Sequence, residues 1–498
     1  MMLPPSSGNS QKTSFRQLDP HVRRIAIVVV LGSIMTVLDT TIVNIALASL
    51  SRDLHSPLND IQWVVSAYLL ALGAVIPLTA WAIRRFGAYR VYMVALILFT
   101  AGSALCGLAT STGELIAFRA LQGAGGGMLM PVGMTIMVQA AGRENLPTVM
   151  SAMGVPMVLA PVFGPTLGGV LLQTVSWHAI FWINVPIGIA TAIVATRLLP
   201  RVQPEPGQAG RLDWLGLVLA ASGTVGITYG LSQSATSGSL TSPLVVWPIV
   251  IGLTLIGAFV LWSHRVEHPL LDLQLYRIRA YSAATVVMFF LGAALFGAMI
   301  LLPLYFQEAR GQDAIRTGLL LIPQALGSSI GMNRSAVSTR RFGAGLTSLG
   351  GGVVVALATI PFLFMTDTTS YGLLAIAMVI RGIGIGFAMM PAMTAAFGSV
   401  RHDQINDASP QLNVIQRVGG SLGTAVIAVV LQDKLTHLAA PASASAVAHA
   451  FAATYWWVLG LSVVSLIPAV ILWRVERRVH LVVPDDSEMD ALQIEAVA

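Results

Sequence analysis

Apolar stretches of membrane-spanning length recur along the whole chain, each closed by a charged or turn-rich break. A bilayer core takes roughly 20 apolar residues per helix. On that measure fourteen charge-poor stretches stand out, at about 24–47, 61–83, 91–110, 114–139, 148–172, 179–199, 213–232, 244–263, 281–306, 316–333, 345–366, 371–398, 408–431 and 453–473. The breaks are weakest at the uncharged turn from Ser232 to Ser242 and around the Gly-rich stretch 316–333. The pattern predicts an all-α integral membrane protein of fourteen transmembrane helices.

Lysine and arginine favour the cytoplasmic side of a membrane protein. With the N-terminus inside, twenty-one of them fall in cytoplasmic segments, and only Arg52, Arg310, Arg316 and Lys434 fall in outer loops. A miscounted span would invert every later loop, so the asymmetry supports an even count with both termini cytoplasmic. The polar segment 1–23 is expected to be a cytoplasmic leader, because the apolar run from Ile25 is too long for a cleaved signal and lacks a small-residue cleavage site.

The chain also repeats itself. Arg84-Arg85-Phe86-Gly87-Ala88 recurs as Arg340-Arg341-Phe342-Gly343-Ala344. Two spans beyond each copy comes an in-span arginine, a glycine cluster and a Met-Pro step, at Arg119 to Pro131 and at Arg381 to Pro391. Eight spans separate the copies, so two six-helix bundles fit only with two helices inserted between them. The expected domains are 24–199 and 280–474 for the pseudo-symmetric bundles, 200–279 for the inserted pair with its linkers, and 475–498 for a cytoplasmic tail. Parallel halves of this kind enclose a midplane cavity in many secondary transporters.

Composition narrows the function. Of 498 residues 55% are hydrophobic and 10% charged, with a mean hydropathy of +0.77. Those values exclude a soluble enzyme and a disordered tail protein. The net charge of +6 is spread along the chain, so no nucleic-acid partner is expected. The single cysteine, Cys106, excludes an intrachain disulfide or a cysteine-based zinc site. The nine histidines are scattered and no glycine-rich phosphate loop is present, which argues against a lipid-linked transferase or any other enzyme. No cofactor and no metal site are expected.

Charges inside spans are costly and by default functional. Asp39 is the only charged residue between Arg24 and Arg52. It should face a cavity and titrate. At 1.5 Å per residue, Asp39 and Arg119 both sit roughly 22 Å from the inner surface, so a pair is open to them, with snorkelling to the outer surface as the alternative for Arg119. Gly123-x-x-x-Gly127, Gly164-x-x-x-Gly168, Gly382-x-x-x-Gly386 and Gly419-x-x-x-Gly423 allow close helix approach, as sliding gates or as static packing. Asn44, Tyr68, Gln122, Asn184, Tyr305, Gln307, Asn413, Gln416 and Arg417 are candidates to line the cavity. With Asp39 as its acid, such a cavity is expected to prefer cationic or neutral lipophilic compounds.

These residues resemble the major facilitator superfamily, in its fourteen-span drug:proton antiporter branch. The resemblance runs from about Val22 to Arg478 and rests on Leu38-Asp39-Thr40-Thr41-Ile42-Val43-Asn44, on Gln62-Trp63-Val64-Val65 with Tyr68, and on Arg119-Ala120-Leu121-Gln122-Gly123. It continues through Gly164-Pro165-Thr166-Leu167-Gly168-Gly169 and Trp177 to Ile180-Phe181-Trp182-Ile183-Asn184. It implies that Asp39 and Arg119 carry proton coupling, and that the segment holding Gly164, Pro165, Gly168 and Gly169 controls the antiport transition. The expected activity is export of lipophilic or amphipathic compounds across the cell membrane by alternating access, from a monomer or with a periplasmic adaptor. A lipid or lysolipid translocase of the same fold is the second reading.

One position departs from the family. Arg84 stands where the family carries an acid that meets a helix N-terminus in the other half. A cation there needs an anion, and Asp403 or Asp407 can supply it at the start of the thirteenth span. The expected cytoplasmic gate therefore comprises Arg84, Arg85, Gly87, Arg340, Arg341, Gly343, Asp403 and Asp407. The alternative for Arg84 is a topology signal alone.

Overall fold

The computed structural model describes residues 19–201, 210–237, 239–267, 269–438 and 443–482, with a few side chains inside helices outside that description. It is all helical, without a strand among the described residues. The first half contains α1 (Pro20–Asp53), α2 (Leu58–Val75), α3 (Leu78–Phe86), α4 (Ala88–Cys106), α5 (Thr112–Thr174), α6 (Ala179–Trp182) and α7 (Asn184–Leu198). The inserted pair is α8 (Trp214–Ser237) and α9 (Pro243–Ser263). The second half contains α10 (Arg279–Leu304), α11 (Ala314–Phe342), α12 (Ala344–Thr359), α13 (Tyr371–Gly398), α14 (Ile405–Thr436), α15 (Ala444–Val464) and α16 (Leu466–Val482).

Helix ends follow local chemistry. Ser111, Asp313 and Ser443 each accept a backbone N–H three residues on, at the starts of α5, α11 and α15. Asp19 caps α1, with Pro20 at its first position. The repeated Arg-Arg-Phe-Gly motif folds alike twice: Gly87 and Gly343 take φ of 82° and 83°, a left-handed turn that joins α3 to α4 and α11 to α12. Within α5 the backbone leaves helical geometry only at Gly142 (φ 68°), so this 63-residue element is two helices meeting at a glycine.

Among the described residues eleven helices, or twelve with the bent pair α2–α3 taken as one, are long and apolar enough to cross a bilayer. The fourteen-span expectation exceeds that count by two stretches. The stretch 148–172 is the far part of α5, much of whose side-chain set lies outside the description. The stretch 316–333 lies in α11, a helix that also carries Arg316, Arg334, Arg340 and Arg341. The α2–α3 pair bends by 55°, next to Pro77.

In the first half α1, α2 and α4 pack around α5, and in the second α11 and α12 flank α13 while α10 lies along α14. Glycine sets those distances: a Cβ on Gly123 or Gly127 would strike the α2 backbone, and one on Gly382 or Gly386 the α11 backbone. The inserted helices pack on each other and lean on α2 and α14, one from each half. Trp63 stacks on Tyr229 across that seam with ring centroids 5.9 Å apart.

Candidate functional site: a buried ion pair, a central cavity and a gate

Asp39 is 1% exposed and lies inside the first bundle. Arg119 Nη1 donates to Asp39 Oδ2 at 2.5 Å, and neither side chain is solvent-exposed. Gln122 Nε2 and Asn184 Nδ2 donate to Oδ1 at 2.8 Å and 3.1 Å. Arg119 also donates to Gln122 Oε1 at 2.7 Å and to the Val64 carbonyl at 3.1 Å, and its guanidinium lies 4.0 Å from the Tyr68 ring centroid. Ser103 accepts from Asn184 and donates to the Phe181 carbonyl, which fixes the amide. Every neighbour of Asp39 is a donor. The carboxylate of α1 is thus held by side chains of α5 and α7, the latter steadied from α4.

A central cavity of about 490 Å³ lies beside this cluster but does not contain it. Thr36, Thr40 and Thr41 of α1 line it, with Phe296 and Met299 of α10, Gln324 and Met332 of α11, Met389 of α13, and Asn413, Gln416 and Arg417 of α14. Its size is in the range of small-molecule sites. Gln307, Asn413, Gln416 and Arg417 line this cavity. Tyr68 and Gln122 do not: both are fully buried in the Asp39 cluster, because their helix faces point into the bundle. The same holds for Asp39, which was expected to face a cavity. Tyr305 is also withdrawn, its hydroxyl donating to the Thr366 carbonyl at 2.6 Å and accepting from Arg310. The side chains of Asn44 and Pro165 lie outside the described residues.

The expected preference for cationic or neutral compounds loses its basis in Asp39, because Arg119 pairs with that acid away from the cavity, and among the described lining residues the charged one is Arg417. Gly164 packs against the Thr41 side chain and Gly168 against Ile42. These glycines hold the far part of α5 against the α1 segment that carries both Asp39 and the cavity threonines. A Cβ on Gly169 would meet nothing within 4 Å among the described residues.

The cavity is shut at the end of the bundle that carries the described chain ends. Arg84 Nη1 donates to both oxygens of Asp407 at 2.6 and 2.7 Å, and Nη2 to the Leu270 carbonyl at 3.3 Å. Asp407 lies in the first turn of α14, so the carboxylate faces the positive helix end and separates it from the guanidinium. Gln139 donates to Asn406, and Ser409 to the Pro131 carbonyl, closing α5 onto α14 at the same level. Asp403 is not part of this closure: it meets Arg401 at 3.2 Å on the surface. Arg85, Arg340 and Arg341 are exposed. Arg341 lies over the Phe342 ring.

Sequence reading missed three participants. Asp272, in the linker before α10, donates its backbone N–H to Asp407 and accepts from Gln411 through its carbonyl. Glu476 of α16 accepts the N–H groups of Ala344 and Gly345, capping α12 where the repeated glycine ends. Its position as the one acid among Arg474, Arg477 and Arg478 was the available signal. Gln324 offered none. Outside the spans, Trp177 stacks on His178 at 3.6 Å, and burial draws the His178 pKa down while Asp53 opposes it.

Two helical bundles around a central cavity closed at one end, with a buried ion pair in one of them, are an architecture suited to moving a solute across a membrane. The Major Facilitator Superfamily model matches residues 29–424, and the chain belongs to that family. It is 37% identical over 447 residues to the multidrug resistance protein B homolog of Mycobacterium tuberculosis, covering 89% of this chain and 82% of that protein. It is 30% identical over 490 residues to the putative multidrug resistance protein MdtD of Cronobacter sakazakii, covering 95% and 98%. The crystal structure of the human organic anion transporter MFSD10 (TETRAN) superposes with a TM-score of 0.62 at 14% identity, over 91% of this chain and all of that one. That likeness concerns the fold.

Proposed function

We propose that the protein is a proton-coupled antiporter that exports lipophilic or amphipathic compounds across the cell membrane by alternating access, with fourteen spans and both termini in the cytoplasm. The printed names of its relatives support drug export. The observation that carries the coupling is the placement of Asp39 next to the cavity but outside it. Ion and substrate then occupy separate sites joined by one helix. Protonation of Asp39 would cancel its charge and loosen the Arg119 contact that ties α1 to α5, so the equilibrium between conformations would depend on the proton. Thr40 and Thr41, adjacent on α1, carry that shift to the cavity wall. The Arg84–Asp407 closure is on the cytoplasmic side in this topology, which makes the observed state outward-facing.

Proteoliposomes with a lipophilic dye and an imposed pH difference test the reading. Uphill dye movement that reverses when the gradient is reversed is expected. Dye flux indifferent to the gradient contradicts proton coupling.

A further inference from the structure

Arg417 is a cation without an anion. Among the described residues it forms no ion pair and no hydrogen bond. It lies on α14 and lines the central cavity, whose wall otherwise holds no charged side chain among the described residues. Behind Tyr68 the charges of Asp39 and Arg119 offset one another, so no described acid nearby compensates the guanidinium.

A charged group at membrane depth is costly and is ordinarily paired or solvated. The two fully buried arginines inside spans each have protein partners, though only one has an anion. Arg119 has a carboxylate, an amide and a backbone carbonyl, and Arg381 has the Gln324 amide and the Ala294 carbonyl. Arg417 instead presents its donors to a cavity. We infer that the cavity takes amphipathic anions and that Arg417 binds their charged head; this rests on the reading of the cavity as the substrate site.

A planar guanidinium gives two parallel donors to a carboxylate, sulfonate or phosphate. Asn413 and Gln416, four and one residues earlier on the same helix, add neutral polar groups at the wall. The remaining wall suits the apolar body. Met130, Met299, Met332 and Met389 supply unbranched, adaptable surface, with Phe296 among them. A lipophilic cation would place its charge beside Arg417 with no acid in the wall to offset the repulsion.

The test uses the full-length protein in phosphatidylcholine nanodiscs and three dansyl-octyl probes that differ only in the head: carboxylate, hydroxyl or trimethylammonium. Empty nanodiscs supply the background. The carboxylate probe should bind the wild type at least about tenfold more tightly than the hydroxyl probe, the size of one charge-assisted contact. The trimethylammonium probe should bind most weakly. Arg417→Gln should erase the carboxylate advantage and leave the hydroxyl probe within about twofold, and Arg417→Lys should keep part of it. A second set of nanodiscs with a third of the lipid as phosphatidylglycerol identifies the source of the anion. Competition by that lipid assigns the site to an anionic headgroup, and unchanged binding assigns it to a diffusible compound. Equal or tighter binding of the cationic probe by the wild type overturns the proposal while leaving export standing. Absence of all three probes overturns the proposal together with the cavity as substrate site.

Discussion

The two halves share a scaffold and differ in one carboxylate. In each, an arginine is buried on the helix that packs centrally, Arg119 at 0% exposure and Arg381 at 1%. Arg119 faces Asp39. Arg381 reaches only Gln324 Oε1 at 3.3 Å and the Ala294 carbonyl at 3.5 Å, and its Nε has no partner. The glycines explain part of the difference. Gly123 and Gly127 meet α2 as Gly382 and Gly386 meet α11, so the matched register sets Arg381 opposite Gln122 and not opposite Arg119. Two spans that look alike in sequence hold their arginines about one helical turn apart. The first half thus carries an arginine paired within a carboxylate network, and the second an arginine without an anion among the described residues.

If that contrast is right, the largest effect belongs to Asp39→Asn. Gradient-driven efflux in proteoliposomes should fall at least about a hundredfold, the scale of removing the group that accepts the proton in a coupled step, while membrane insertion persists. Stability separates the two arginines next. Arg119→Met leaves Asp39 buried without its cation and should cost about 3–5 kcal/mol, whereas Arg381→Met removes a charge that had no anion and should stay within about 1 kcal/mol. Unfolding followed in lipid nanodiscs should rank them in that order, and equal losses would erase the distinction between the halves.

Smaller effects sit at the closed end. A double-mutant cycle on Arg84→Ala and Asp407→Asn, read as cysteine accessibility from the cytoplasmic side, should give a coupling of about 0.5–2 kcal/mol for this partly exposed pair. The same cycle with Asp403→Asn should be additive, because Asp403 meets Arg401 and not Arg84. Smallest of all, Gly169→Ala should leave transport within about twofold, since its added Cβ meets open space. Gly123→Ala, driven into the Tyr68 backbone, should lower expression and activity together.

What the sequence reveals of this site has a physical boundary. Hydropathy places helices and counts residues, so it gives the height of Asp39 and Arg119 in the bilayer, and the structure brings the two side chains together. It gives no azimuth. Whether Asp39, Tyr68 and Gln122 point into a bundle or into the cavity depends on how α1, α2 and α5 rotate against their neighbours, which packing decides. The cavity's charge was misjudged for this reason. Arg84 was readable because a cation near a helix start demands an anion, and Asp407 was within reach on the chain's own terms. The backbone contacts of Asp272 and Leu270 were not readable, since any residue type can supply them. The repeat was legible in Gly87 and Gly343, where a left-handed backbone restricts the residue. It was less so in Arg381, where a composition-level likeness hid a shifted register.

The central claim is that Asp39 exchanges the coupling proton while a separate cavity holds the substrate. Proton exchange with a weakly buffered solution, followed by a pH-sensitive dye on purified protein as substrate is added, tests it most directly. The account predicts a proton signal that saturates with substrate for the wild type, and binding without any proton signal for Asp39→Asn. A variant that binds substrate and still exchanges protons as the wild type does would contradict it.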